Sequence, residues 1–347
     1  MRFNVLDIMR FAAALSVVFY HYTAGDSSEH YGFVSEFTKF GYLGVPLFFM
    51  ISGFVISASA LNRTPAEFAI SRTTRLYPTV FACLTFTTLV ILMFAPGETG
   101  ISLFQYLSNL TILNVYAGQK YIDGVYWTLL AELKFYICIF LLLCVGLFDK
   151  FRIWLSVWML ATITYLIFEQ PFFMGWFISP EYSAFFIAGV TFFLATKNGY
   201  NKFYSTLLIA AFIVGSIRAY QQATGFMHDT DTLDQIISLV VIWSFFLLFF
   251  MISLDKVRIK GNKVLLLLGG MTYPLYLLHS RAGHIFFDRL EGIMHPYISL
   301  MLITSMMLLL AFLVHVIVEK RLANAIKNYL FGKLHEVRGN VAKASEY

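Results

Sequence analysis

Ten apolar runs divide this chain, at about residues 5–24, 41–61, 77–95, 125–148, 153–169, 181–197, 203–220, 235–254, 264–284 and 297–318. Each is close to the ~20 residues that cross a hydrocarbon layer as a helix. Backbone amides in lipid must find partners within their own segment, so the runs predict an all-α integral membrane protein of about ten transmembrane helices. A hydrophobic content of 59% and a mean hydropathy of +0.72 exclude an ordinary soluble domain. Ten crossings put both termini on one side. Eighteen Lys and Arg residues then fall on that side and four on the other, which predicts cytoplasmic termini. The net charge of +5 sits between apolar runs, where it sets topology and does not imply nucleic acid. Cys83, Cys138 and Cys144 lie in apolar segments without ligand spacing, so packing is expected and no disulfide or metal site is implied.

The first run, LDIMRFAAALSVVFYHY, keeps its charges and has no cleavage site after it, so it is expected to stay as an anchor. It carries Asp7, Arg10 and His21. Arg10 and His21 return to within roughly 20° of one helical face, about 16 Å apart along the axis. That predicts a polar path through the protein. Asp7 is a plausible partner for Arg10, one turn away. His21, between Tyr20 and Tyr22, reads either as an interfacial aromatic-belt residue or as a base.

Gly41, Gly44 and Gly53 in GYLGVPLFFMISGF leave room for a close helix or a bound chain. Arg72 and Arg75, in the connection that follows, present two guanidinium forks one turn apart, suited to phosphate or to topological anchoring. Residues 101–116 read as an interfacial or partly re-entrant piece. Glu132 sits about two turns inside the fourth run, and Lys134 is a poor partner because residues two apart diverge on a helix. His21, Glu132 and His279 are expected at similar depth near the outer face, where Glu132 either snorkels or serves a proton-handling group such as His21. For His279, substrate contact and interfacial packing stand equal. The tail 320–347 reads as a basic cytoplasmic helix on anionic headgroups, separate from a membrane domain at 1–319.

In order along the chain, these segments resemble the acyltransferase-3 family of bacterial membrane proteins that acylate surface and secreted glycans. The resemblance rests on five features. They are the Arg10-to-His21 spacing, residues 41–54, Arg72 and Arg75 before Tyr77 and Pro78, Trp127 with Glu132, Phe135 and Tyr136, and YPLYLLH ending at His279. It implies a multi-pass protein of the bacterial cytoplasmic membrane, an acetyl-CoA or other acyl-CoA donor on the cytoplasmic side, and a glycan acceptor outside. His21 and Glu132 become the expected catalytic residues, and Arg10, Arg72 and Arg75 the donor-binding ones. Trp127, Tyr273 and His279 are expected against substrate, and no metal is expected. Leu133 and Lys134 stand where relatives commonly have an acid and a glutamine, and Pro46 where many are acidic. The chain reads as a stand-alone member without an appended hydrolase-like domain. A glycan transporter or flippase also suits ten crossings with buried charges.

Overall fold

The computed structural model describes residues 4–25, 28–95, 100–168, 174–227 and 230–344. Arg2 and parts of the connections expected outside, at 26–27, 96–99 and 228–229, lie outside the described residues. The helices run α1 Asn4–Thr23, α2 Ser28–Tyr31, α3 Phe33–Thr38, α4 Gly44–Ala60, α5 Pro65–Phe94, α6 Leu103–Leu110, α7 Trp127–Cys144 and α8 Phe151–Phe168. They continue with α9 Met174–Phe177, α10 Pro180–Asn198, α11 Lys202–Phe226, α12 Thr232–Ser253, α13 Lys263–Leu278, α14 Ser280–Leu290, α15 Pro296–Val314 and α16 Asn324–Ala344. A π-helical stretch, His315–Ala323, joins α15 to α16 without a break, so the expected boundary after Glu319 falls inside it. The chain is a multi-pass, all-helical membrane protein; no strand occurs among the described residues.

Side-chain caps set many of the helix starts. Thr64 and Glu67 form a reciprocal capping box ahead of Pro65, and Asn201, Asp231 and Asn262 cap α11, α12 and α13. The box starts α5 at Pro65, well before the apolar run at residue 77. Arg72 and Arg75 therefore lie inside a helix, which corrects their expected place in a connection. Residues 101–116 form a short helix, α6, and a 3₁₀ turn at Asn114–Ala117.

Among the described residues, eight helical stretches are long and apolar enough to span a membrane. Two of the expected ten fall short of that standard. One is α10, which carries Glu181 and Lys197 near its ends yet buries every residue from Tyr182 to Ala195. Neighbouring helices shield it, so it needs less apolar surface toward lipid. The other is α13, of 16 residues. The expected run 264–284 is interrupted at His279, between α13 and α14.

The buried side chains form two clusters. One joins α4, α8, α10, α11 and α12; the other joins α13, α14 and α15; α1, α5 and α7 contribute to both. Glycines permit the closest crossings. A Cβ on Gly53 would strike the Phe186 carbonyl, and one on Gly189 would strike that of Met50, so α4 and α10 touch backbone to backbone. Gly41 and Gly44 face Ser16 and Ala13 of α1 in the same way, so the glycines seat helices, not a bound chain. Gly53→Leu is expected to lower stability by about 3 kcal/mol, because backbone on the far side cannot yield. Thermal unfolding of the detergent-extracted protein checks this. Gly225→Ala, in open space on α11, is the matched control and should leave the midpoint in place.

Candidate active site

A cavity of about 630 Å³ opens at the seam between the two clusters, lined from α1, α4, α5, α7, α13 and the π-helical stretch. Its charged lining comprises Arg10, Arg72, Arg75 and Lys320 against Asp7 and Glu132, four basic groups to two carboxylates. Arg10 lies 4.0 Å from Asp7. The Asp7 side chain rests over Gly269, where a Cβ would come within 2.6 Å of it. Gly270 makes similar room for the His315 ring, whose Nδ1 donates to Glu319 at 2.6 Å. Glu319 also accepts from Thr79. These contacts lock α13 and the π-helical stretch onto α1 and α5 around the cavity.

Arg72 donates to the hydroxyls of Ser59 and Ser71 and lies over the Phe68 and Tyr136 rings, while its Nε is buried without a partner. Arg75 makes no ion pair or hydrogen bond among the described residues. Two guanidinium groups thus face one cavity with donors to spare, an arrangement that suits a phosphorylated ligand. The walls between them are apolar and aromatic, with Val45, Phe48, Phe49 and Leu129.

Glu132 belongs to this cavity. Its Oε1 accepts from Ser52 Oγ at 3.0 Å and from Tyr136 Oη at 2.6 Å. That corrects the expectation that Glu132 stands beside His21. The helical face that carries Glu132 and Tyr136 four residues apart turns toward the arginines. Lys134 reaches the Gly175 carbonyl instead of Glu132. Trp127 packs among Phe49 and Tyr182, away from the histidines, and Tyr273 lines the cavity with its hydroxyl unpartnered.

The histidines gather elsewhere, where α1 meets the junction of α13 and α14. Asp7 lies against Gly269 and His21 against His279, so α1 and α13 run in parallel and the polar face of α1 follows α13 for its whole length. The His21 and His279 ring centroids are 5.2 Å apart. His279 is fully buried, and Tyr22 Oη donates to its carbonyl at 2.7 Å. His284 Nε2 lies 2.8 Å from the His21 carbonyl and Nδ1 2.8 Å from that of Ser280. The buried Asp123, just ahead of α7, accepts from the Arg281 and Val125 backbone N–H groups. Burial pushes its carboxyl above the ordinary value, and those hydrogen bonds oppose the shift.

The two centres nearly meet. Tyr276 lines the cavity, accepts from Thr128 Oγ1 at 3.1 Å, and has its ring centroid 5.6 Å from that of His279. Phe48 packs edge-on against it at 5.7 Å. His21 and His279 do not line the cavity. The open polar path expected between Arg10 and His21 is therefore interrupted by one aromatic layer.

A family profile described as an acyltransferase domain matches residues 3–319. The chain belongs to the acyltransferase-3 family. As a member it is an acyltransferase, which displaces the transporter reading. A protein of Acidianus two-tailed virus, ORF330, provisionally named an acetyltransferase, is 25% identical over 78% of this chain and 80% of its own length. Nodulation protein 10 of Rhizobium leguminosarum bv. viciae is 28% identical over 40% of this chain and 44% of its own length. No solved structure matches this acyltransferase.

Sequence reasoning missed several residues of this family member's two centres. Ser52 and Tyr276 stand inside residues 41–54 and YPLYLLH, where nothing distinguishes them from their neighbours, and His284 and Asp123 carry no spacing that marks a site. His284 lies five residues from His279 across a helix junction, and Asp123 reads as a turn residue, which it also is through its bond to the Val125 N–H.

Proposed function

We propose that this acyltransferase is an O-acyltransferase, in the simplest case an O-acetyltransferase, moving the acyl group of cytoplasmic acyl-CoA to a sugar hydroxyl of a surface or lipid-linked glycan. The observation that carries the reading is the excess of unpaired guanidinium donors in a cavity that stops one ring short of the His21–His279 pair. Arg72 and Arg75 take the donor phosphates, with Arg10 and Lys320 adding charge. Glu132 holds Tyr136 and balances the arginines, so it serves the donor and not the imidazole. The pantetheine arm follows the apolar wall past Tyr273, whose free hydroxyl suits its amides, and Trp127 backs that wall through Phe49. The acyl group passes the Tyr276 ring as it swings aside.

At His21 the imidazole takes the hydroxyl proton as the sugar oxygen attacks the thioester carbonyl. The C–S bond breaks, the new C–O bond stays, and the imidazolium returns its proton to the departing thiolate. The products are an ester and free coenzyme A. The acetyltransferase label on the viral relative supports the short acyl group. The topology that accompanies this reading has ten crossings, α10 and α13 joining the other eight, and both termini in the cytoplasm. The basic tail then lies at the inner surface of a bacterial cytoplasmic membrane. In support, α1 runs parallel to α13 and α4 parallel to α10, as first and ninth, and second and sixth, crossings must.

Proteoliposomes with labelled acetyl-CoA on the cytoplasmic face and glycan on the other test this. Label is expected on the glycan as a base-labile ester. Glycan crossing unmodified, without any thioester, would overturn the reading. Glu132→Ala is expected to raise the acyl-CoA KM while leaving the pH profile of kcat in place, measured in the same assay.

A further inference from the structure

His279 presents an unmet bond next to the proposed base. Its Nδ1 lies 2.8 Å from the Tyr276 carbonyl oxygen, which can only accept, so Nδ1 carries the hydrogen. Nε2 is then a lone-pair acceptor, and it is buried with no hydrogen-bond partner. The residue as a whole is 0% exposed, so water does not satisfy that atom from outside. A buried acceptor without a donor is costly and uncommon unless a partner arrives during function. The neighbouring ring in reach is that of His21, centroid to centroid 5.2 Å and inclined by 52°.

The surroundings hold both rings for such a meeting. Tyr22 Oη grips the His279 carbonyl, and His284 Nε2 grips the His21 carbonyl, so the two backbones are tied to each other from both sides. A centroid separation of 5.2 Å is of the size that two imidazoles joined by one N–H···N bond of about 3 Å require.

We infer that His279 is a positioning residue, which accepts a hydrogen bond from the ring N–H of His21, fixes its tautomer and turns its other nitrogen, as a lone pair, toward the acceptor hydroxyl. The inference rests on the reading of His21 as the base and replaces substrate contact as the role of His279. When His21 takes the hydroxyl proton, its N–H bond to His279 strengthens and the imidazolium is stabilised. No proton moves to His279, which keeps its own on Nδ1. The titratable and charged groups facing the pair are Tyr20 and Tyr22 on α1, Tyr276 on α13, His284 and Arg281 on α14, and Asp123 and Tyr126 at the entry to α7.

The test compares His279→Phe, which keeps a ring but no acceptor, with His279→Gln, whose amide oxygen reaches about where Nε2 stood. Both are assayed in proteoliposomes with acetyl-CoA across the pH range, beside His21→Ala. His279→Phe is expected to lower kcat about 100-fold with the acetyl-CoA KM within about twofold, and to move the acid limb of the kcat profile to lower pH. His279→Gln is expected to restore most of the rate and return the limb. Retained acetyl-CoA binding by His279→Phe shows that the cavity is intact. A uniform loss with an unmoved limb and no rescue by Gln would leave His279 as packing and overturn the inference, while His21→Ala stays inactive. Activity retained in His21→Ala would instead overturn the reading of His21 as base.

Discussion

His21→Ala is expected to lower glycan acylation by about three orders of magnitude while leaving acetyl-CoA binding unchanged. The two halves of that result follow from the separation of the centres. His21 does not line the cavity, so its loss takes nothing from the donor. A sugar hydroxyl, however, is a weak nucleophile until its proton has somewhere to go, and the other rings nearby are committed. His279 gives Nδ1 to a carbonyl and is fully buried, and both nitrogens of His284 face carbonyl oxygens. His21 alone of the three makes no side-chain hydrogen bond among the described residues and is partly exposed. Labelled transfer in membranes checks the rate, and equilibrium binding of acetyl-CoA checks the donor side. Wild-type transfer by the variant would remove His21 from the chemistry.

The joint variant Arg72→Ala with Arg75→Ala is expected to raise the acetyl-CoA KM about 100-fold, with kcat changed much less. Hydrogen bonds to charged partners contribute roughly 1.5–3 kcal/mol each, and the two guanidinium groups present several donors that no protein group uses. The interaction is made equally in the ground state and the transition state, which is why the effect falls on KM. Rising salt should raise the wild-type KM and have little effect on the variant. An unchanged KM would return both arginines to a topological role. Arg72 is the more constrained of the pair, seated between Tyr136 and Phe68 with bonds to two serines, so lysine there should not substitute.

Much of this site was legible in the residues because the membrane makes polar groups conspicuous. Arg10, Arg72, Arg75 and Glu132 stood out in apolar sequence, and all four line one cavity. Depth along a helix was less legible than identity. Counting turns from a helix boundary puts Glu132 near His21, whereas its carboxylate meets Ser52, 80 residues earlier in the chain. Helix starts set by caps are equally hard to read from hydropathy, since Thr64 and Glu67 start α5 well before its apolar run. The eight clearly apolar spans were read from hydropathy, but α10 is defined by neighbours that a single run cannot reveal. His284 and Asp123 were invisible for the same reason: they matter through backbone partners far away in sequence.

The single aromatic layer of Phe48 and Tyr276 has a consequence for the cell as a whole. A protein that hands a group from one compartment to another risks becoming a leak, and even a narrow wet thread would dissipate a proton gradient. In the proposed topology the cavity stops at one phenol ring tethered to Thr128, so the bilayer keeps its electrical insulation between turnovers.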